Sequence, residues 1–259
     1  MIEIGISPIA FSVGPVDVAW YGIMVALAVL TLLFWTYWQI RSGRAKISID
    51  TFTNAALVGI PSGIVGARLF HVVDYWDYYA QNPGLIIGGS GLAIYGAVLG
   101  AALGLLIYSR FSRISFGYFA DVLSPGIILA QAIGRVGCLF NGCCYGEATD
   151  IFCAIVYTNP ETLGPLGIPV HPTQVYEIIY NLAVFGLLFW LRGRFKPAGS
   201  LFAIYLALYS VWRIGLAFLR EGTPFFLGLN QAQVISAVIL IICGVFIALK
   251  TRPVKREND

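Results

Sequence analysis

Seven long stretches of this chain are almost free of polar side chains, and short polar stretches rich in glycine and proline separate them. The apolar runs cover about 18–40, 52–73, 85–108, 118–140, 173–191, 200–219 and 232–249. Each is close to the ~20 helical residues that cross a hydrocarbon core about 30 Å thick. A helix on a soluble protein would show one apolar stripe and one polar face. These runs are apolar nearly all round. The pattern predicts an all-α integral membrane protein with seven transmembrane helices, residues 1–259 forming a single polytopic membrane domain. The third run is broken near its start by Gly88, Gly89 and Gly91. The longest connection, 141–172, falls between spans four and five and is long enough for a small extracytoplasmic cap. The first 17 residues hold Pro8, Gly14 and Pro15 but no Lys or Arg, so they lack the basic start of a signal peptide.

Composition narrows the class. Of 259 residues, 58% are hydrophobic and only 11% charged, against roughly 25% charged in soluble domains. A soluble enzyme, a disordered chain and a nucleic-acid binder are excluded. The distribution of charge sets the orientation. Arg41, Arg44 and Lys46 follow span one; Arg110 and Arg113 follow span three; Arg192, Arg194 and Lys196 follow span five; Lys250, Arg252, Lys255 and Arg256 follow span seven. Twelve of the sixteen basic residues therefore share one side, and the opposite loops hold only Arg220. Positive residues stay inside, so the N-terminus is expected outside and the C-terminus in the cytoplasm. A retinal-type receptor needs a Schiff-base lysine within a span, but Lys46, Lys196, Lys250 and Lys255 all lie at inner loops or ends. A channel or transporter should carry a polar stripe along a whole span, whereas the polar groups here stop in the outer half.

The three remaining arginines, Arg68, Arg135 and Arg213, lie inside spans two, four and six. At 1.5 Å per residue each sits roughly 20–25 Å from the inner face, where an ionised side chain is costly and needs a reason. Most acidic residues, Asp50, Asp121, Glu257 and Asp259 among them, fall at inner ends or tails. Glu177, about one turn into span five, is the acidic group that reaches the layer of the arginines. Two readings stand side by side. The arginines are paired structurally to carbonyls and Glu177, or they form a site for an anion from the outer leaflet. Guanidinium binds phosphate through a planar fork, and a phospholipid headgroup is the natural anion at that depth. Gly59 and Gly63 on span two, and Gly96, Gly100 and Gly104 on span three, make small-residue faces suited to close helix packing.

At this point the residues match a known family. The run Gly134-Arg135-Val136-Gly137-Cys138-Leu139-Phe140-Asn141-Gly142-Cys143-Cys144-Tyr145-Gly146 resembles the signature of the prolipoprotein diacylglyceryl transferases. His171-Pro172-Thr173-Gln174-Val175-Tyr176-Glu177 resembles another of the family's segments. Trp20-Tyr21-Gly22, Gly66-Ala67-Arg68-Leu69, Tyr95-Gly96 and Tyr209 to Arg213 fit in the same order. The resemblance implies transfer of the diacylglyceryl group of phosphatidylglycerol to the lipobox cysteine of a preprolipoprotein, with release of glycerol phosphate. It places the protein in a bacterial cytoplasmic (inner) membrane. Its expected partners are phosphatidylglycerol, lipobox signal peptides and membrane lipids, with no nucleic acid, no metal and no cofactor. It implies catalytic roles for Tyr95, Arg135, Arg213 and Tyr209, and substrate binding by Tyr21, Arg68, Asn141, Gly146, His171 and Glu177. A related transferase using another anionic phospholipid or acceptor is the alternative, and a non-enzymatic seven-span receptor or transporter a more distant one.

The chemistry fits these residue types. A thiolate must attack the glycerol carbon bearing the phosphate ester, and fixed cations aimed at the departing phosphate stabilise the transition state. Four positions depart from the usual pattern. Tyr95 stands where a histidine is frequent, Cys138 and Cys143 replace an Asn and a Glu of the signature, and Ala217 occupies a frequent Glu position. The proton acceptor is thereby left unassigned. A phenol with an unperturbed pKa of about 10 can serve only if the arginines lower it. His171 precedes Pro172, a helix-start signal, and has either a capping or a headgroup role. His71 reads as a packed histidine, and Cys243 as packing. Cys138, Cys143, Cys144 and Cys153 are open to three readings: a disulfide, a metal site, against which stands the lack of a paired Cys-x-x-Cys, or small thiols packed under the cap. Tyr21, Tyr176 and Tyr209 suit an interfacial aromatic belt, and Tyr209 lies one turn before Arg213 on the same face.

Overall fold

In the computed structural model, residues 1–88, 91–112, 114–220, 222 and 224–254 are described; Gly89, Arg113, Lys255, Arg256, Glu257 and Asp259, named above, lie outside the described residues. The helices are α1 (Trp20–Arg41), α2 (Ile49–Asp74), α3 (Trp76–Gln81), α4 (Leu85–Gly88), α5 (Ile94–Phe111), α6 (Phe116–Asn141), α7 (Thr173–Leu191), α8 (Ser200–Ala217) and α9 (Gln231–Lys250). Among the described residues seven of them, all but α3 and α4, are long and apolar enough to cross a membrane. They occupy the seven apolar runs, because in hydrocarbon a helix satisfies every backbone group internally. The glycine-broken third run divides into α4 and α5. The six-residue α3 was not foreseen.

The all-α expectation needs correction. Short strands fill the connections: β1 (Ile2–Ile4), β2 (Ile9–Val13), β3 (Val16–Ala19), β4 (Ile155–Tyr157), β5 (Pro169–Val170), β6 (Phe195–Lys196), β7 (Pro224–Phe226), β8 (Leu229–Asn230) and β9 (Arg252–Pro253). β2 and β3 form a hairpin whose turn is Gly14-Pro15. Gly14 has φ 59°, a region that costs a Cβ-bearing residue. β1 runs parallel to β4, and β5 antiparallel to it. The expected cap at 141–172 thus folds around a small sheet completed by the chain's first residues. Its core is Ile155, Tyr157 and Val170, with Ile4, Leu139 and Tyr145 packed on it. The Tyr157 hydroxyl donates to the Leu139 carbonyl at 3.3 Å and accepts from Gln174 Nε2 at 3.2 Å. The cap is thereby tied to the end of α6 and the start of α7.

The chain divides into two compact units, Met1–Trp35 with Ala120–Asp259, and Thr36–Phe119. In the first, α6, α7 and α8 pack around Ile128, Val184, Leu188, Leu201 and Tyr205. Trp35 lies edge-on to Phe185 at 5.2 Å and donates from its indole to the Val122 carbonyl at 3.3 Å. The Asp121 carboxylate accepts from the backbone N–H groups of Gly199 at 2.7 Å and Phe202 at 2.8 Å. It therefore caps the N-terminus of α8 from a neighbouring helix, where free donors and the positive dipole end favour an anion.

In the second unit α2 and α5 meet through the glycine faces seen in the sequence. A Cβ at Gly66 would collide with the Gly96 carbonyl, one at Gly96 with the Gly66 carbonyl, and one at Gly100 with the Ser62 carbonyl. Gly104 leaves room for the Ser62 side chain. Such backbone approach gains dispersion and polar contacts that lipid cannot supply. The outward positions of the pair, Leu57, Ile64, Leu69, Val73, Leu99 and Leu103, are apolar and exposed, as a lipid-facing surface requires.

Candidate functional site

The site is built on α7. Thr173, Gln174, Glu177 and Asn181 form a fully buried polar stripe in its first half, and Val184 and Leu188 continue the same face as core. A helix apolar all round elsewhere spends its polar residues on one inward strip, as lipid demands. The Glu177 side chain, 1% exposed, receives Arg135 Nε at 2.8 Å on one oxygen and lies 3.5 Å from Arg220 Nη2 on the other. One carboxylate thus serves two guanidinium groups and leaves a net positive charge. Removing either kind of partner from such a buried pair is costly.

Arg135 comes from the last two turns of α6. Arg213 comes from the last two turns of α8, eight residues after Tyr205 and four after Tyr209, so the three share a face. Tyr209 lies within electrostatic reach of Arg135, with its ring 6.3 Å from that of Tyr205. Arg213 lies within reach of Arg220. Its Nη1 is buried and without a hydrogen-bond partner among the described residues. The same holds for both amide atoms of Asn181, Gln131 Oε1, Gln174 Oε1, Glu177 Oε2, Trp212 Nε1 and Arg220 Nη2. Glu177 Oε2 and Arg220 Nη2 face each other as an ion pair; each of the other groups forfeits roughly 1–3 kcal/mol. Apart from Arg220, which lies just beyond α8, they belong to α6, α7 and α8.

Arg220 lies beyond α8, in the loop where the sequence places it, and its side chain is only 12% exposed. The chain just beyond α8 folds back, because the Leu219 carbonyl accepts from the Glu147 N–H at 2.8 Å. Arg220 Nε then reaches Thr173 Oγ1 at 3.2 Å. Arg213 and Arg220 are seven residues apart, two helical turns, and that spacing was the available clue.

The loop after α6 completes the site. Gly142, φ 71°, stops the helix. Cys143 N–H donates to the Cys138 carbonyl at 3.1 Å and Gly142 N–H to that of Leu139 at 3.4 Å, the paired bonds of a Schellman ending. This ending lays the residue after the glycine over the residue five positions earlier, so Cys138 meets Cys143. Cys144 follows at φ 64°, a left-handed conformation costing a side-chain-bearing residue about 1–2 kcal/mol. Thr173 Oγ1 holds the Cys144 carbonyl at 2.6 Å and Gln174 Nε2 that of Cys143 at 2.7 Å. The three sulfur atoms lie within 4.8 Å of one another, and Arg135 Nη1 donates to Cys138 Sγ at 3.8 Å. Hydrogen bonds from Cys138 and Cys143 hold the Cys144 thiol well below the usual thiol range, and Arg135 and Arg220 add to the effect.

The other expected residues fall in three groups. Asn141 hydrogen-bonds the Cys143 thiol, and Tyr21, on α1, is within electrostatic reach of Arg135 and the three thiols. Gly146 is steric: a Cβ there would strike the Leu219 carbonyl, His171 and Thr173. The His171 ring pairs with Tyr176, its Nδ1 3.5 Å from the hydroxyl, which in turn lies 3.8 Å from Cys153 Sγ. Arg68 and Tyr95 belong to the second unit. Arg68 donates from Nε to the Ile86 carbonyl at 2.8 Å, from Nη1 to that of Gly91 at 2.9 Å and from Nη2 to that of Leu85. Its guanidinium sits 5.1 Å from the Tyr79 ring. Tyr95 opens α5 and is half exposed. His71 packs against Tyr75 and Tyr79 with Gly91 on its ring, and the cysteines are all free thiols.

The prolipoprotein diacylglyceryl transferase family matches residues 8–249. A phosphatidylglycerol–prolipoprotein diacylglyceryl transferase of Dehalococcoides mccartyi strain 195 is 48% identical over 258 residues, 100% of this chain and 99% of the relative. This chain belongs to the prolipoprotein diacylglyceryl transferase family. Proteins of the same name from Symbiobacterium thermophilum, 36% identical over 98% of this chain and 96% of the relative, and from Clostridioides difficile, 35% identical over 94% and 96%, agree. The two longest segments by which the sequence resembles the diacylglyceryl transferases, 134–146 and 171–177, are the two that build the Arg135–Glu177 pair and the loop tethered to it.

Proposed function

We propose that this protein transfers the diacylglyceryl group of phosphatidylglycerol to the lipobox cysteine of a preprolipoprotein and releases glycerol phosphate. The observation that carries the reading is the pairing of Arg135 and Arg220 with one carboxylate, with Arg213 in reach of Arg220 and a buried guanidinium nitrogen of Arg213 unsatisfied. Full-length similarity to proteins bearing that activity's name supports it. The seven spans lie in a bacterial cytoplasmic membrane with the N-terminus outside, so the substrate lipid comes from the outer leaflet and the cap faces out.

In this mechanism the phosphodiester takes the place of the missing anion. Arg213 and Arg220 contact its oxygens, and Asn181, whose amide has no other partner among the described residues, donates to the same group. Glu177 fixes Arg135 in the plane the fork requires. The acceptor sulfur attacks the glycerol carbon that bears the phosphate ester. The new bond is C–S, the broken bond is C–O, and the electron pair stays on the departing phosphate, which gains a charge. Cations already in place stabilise that charge without reorganising. Tyr209 and Tyr21 border the reacting groups and exclude water.

The test is reconstitution of the purified protein with phosphatidylglycerol and a lipobox peptide, followed by mass spectrometry of the peptide. The expected result is a gain of one diacylglyceryl unit, absent when the lipobox Cys is Ser. No gain from protein that is demonstrably folded overturns the proposal.

A further inference from the structure

We propose that Cys138, Cys143 and Cys144 form a three-thiolate site for a thiophilic divalent cation of the Zn²⁺ type, with its fourth position open to the acceptor thiol. The site stands on geometry. The three sulfurs lie within 4.8 Å of one another. Thiolates about 2.3 Å from one zinc are a little under 4 Å apart, so closing on an ion takes a movement of about 1 Å or less. The sequence objection, that no Cys-x-x-Cys is present, does not hold in three dimensions. The Schellman ending at Gly142 folds Cys143 over Cys138, and the left-handed Cys144 turns a consecutive side chain to the same side.

The surroundings are those of a ligand set. The carbonyls of Cys143 and Cys144 are each held by a buried side chain of α7, Gln174 and Thr173. Arg135 donates to the Cys138 sulfur, and Asn141 hydrogen-bonds the Cys143 thiol. Such outer contacts orient metal ligands and tune them. Packing alone needs neither a strained residue nor two buried tethers. Charge also balances. Three thiolates on a divalent cation carry one negative charge. Arg135, Arg213 and Arg220 less Glu177 supply two positive ones, which match this charge and that of a bound acceptor thiolate.

Three ligands are the pattern of a zinc site that keeps a position for substrate. Among the described residues no further His, Cys, Asp or Glu atom joins the group. This step rests on the transferase reading. The acceptor cysteine binds the cation as thiolate, and its proton passes to water at the outer surface. Its sulfur then forms the C–S bond as the C–O bond to phosphate breaks and the electron pair departs with glycerol phosphate. The thioether product is a weaker ligand and leaves. No side-chain base is required, which accounts for a site holding three thiols and no histidine against the arginines.

The experiment uses the full chain in detergent, reduced, stripped with a chelator and loaded with Co²⁺ or Zn²⁺ alone. The expected result is one metal per chain, with sulfur-to-cobalt charge-transfer absorption. Cys143→Ser and Cys144→Ser should each lose the bound cobalt while keeping their helical circular dichroism and elution volume. Cys153→Ser and Cys243→Ser should keep it. A lipobox peptide should shift the visible cobalt bands, and its Cys→Ser version should not. Substoichiometric metal in folded, reduced protein overturns the site. Full-rate transfer by the stripped protein overturns the thiol-activating role and leaves the transferase reading standing. Stoichiometric metal without any transfer upholds the site and sinks the reading it was attached to.

Discussion

Arg68 and Arg213 are both intramembrane arginines on long apolar helices, and the structure treats them in opposite ways. The Arg68 guanidinium is taken up by three backbone carbonyls around α4 and by the face of Tyr79. The Arg213 guanidinium keeps a buried nitrogen without a partner, in a unit where Glu177 is already shared by two other arginines. The first arrangement is complete in itself and braces a break in the helical chain. The second leaves a donor open, which the proposed function fills with the phosphodiester. Burial and depth do not separate the two; the accounting of donors does.

The sharpest break of this comparison is Glu177→Gln. It leaves Arg135 and Arg220 buried without their counter-charge, and unpairing a buried ion costs about 3–5 kcal/mol. Denaturation in detergent should show a loss of that size, reduced by added phospholipid with an anionic headgroup. A loss below about 1 kcal/mol, the range of exposed pairs, would mean the cluster is not held by its carboxylate. Arg213→Ala comes next. It should leave stability nearly unchanged, or raise it, since it removes an unsatisfied group. Transfer should fall about 10²–10³-fold, as when one fixed donor to a developing anion is removed. Full activity would remove Arg213 from the site.

Arg68→Gln should show the reverse split. Three carbonyls lose their donors, so stability should drop by about 1–3 kcal/mol. Transfer per folded molecule should stay within about one order of magnitude, as read by activity normalised to the folded fraction. A collapse of activity in fully folded protein would place Arg68 with Arg213 and abolish the contrast.

How much of this was legible beforehand follows the same line. The seven helices were readable because an apolar run of sufficient length has no other solution in lipid. The glycine faces of α2 and α5 were readable because their spacing repeats every helical turn. Glu177 could be picked out as the lone acid near the arginines, and it does pair with Arg135. The strand β1 was not readable: its partner β4 lies some 150 residues away, and a three-residue strand has no periodicity of its own. Arg220 was correctly read as a loop residue, but its burial beside Glu177 was not readable, because a loop position says nothing about which way the chain turns. Cys138, Cys143, Cys144 and Cys153 could be grouped at one face from the sequence, but the meeting of the first three alone could not be read. It depends on Gly142 adopting φ 71°, a conformation that sequence spacing alone does not count.

The smallest expected effect concerns Tyr95. The sequence made it a candidate proton acceptor because it stands where the family often has a histidine. In the structure it is 52% exposed, in the first turn of α5. That turn is fixed by its backbone: Ala93 N–H donates to the Ala67 carbonyl at 3.0 Å, and Gly96 packs on Gly66. These contacts do not involve the phenol oxygen, so Tyr95→Phe should leave stability unchanged. A positioned general base contributes roughly 10²–10⁴-fold. If the acceptor thiol is instead deprotonated at the thiol triad, Tyr95→Phe should alter the rate by less than about tenfold, and the pH–rate profile should keep its shape. A fall of 10² or more with an altered alkaline limb would return the proton to the tyrosine. Tyr95 would then contribute chemistry, and Arg68 would have to be weighed again.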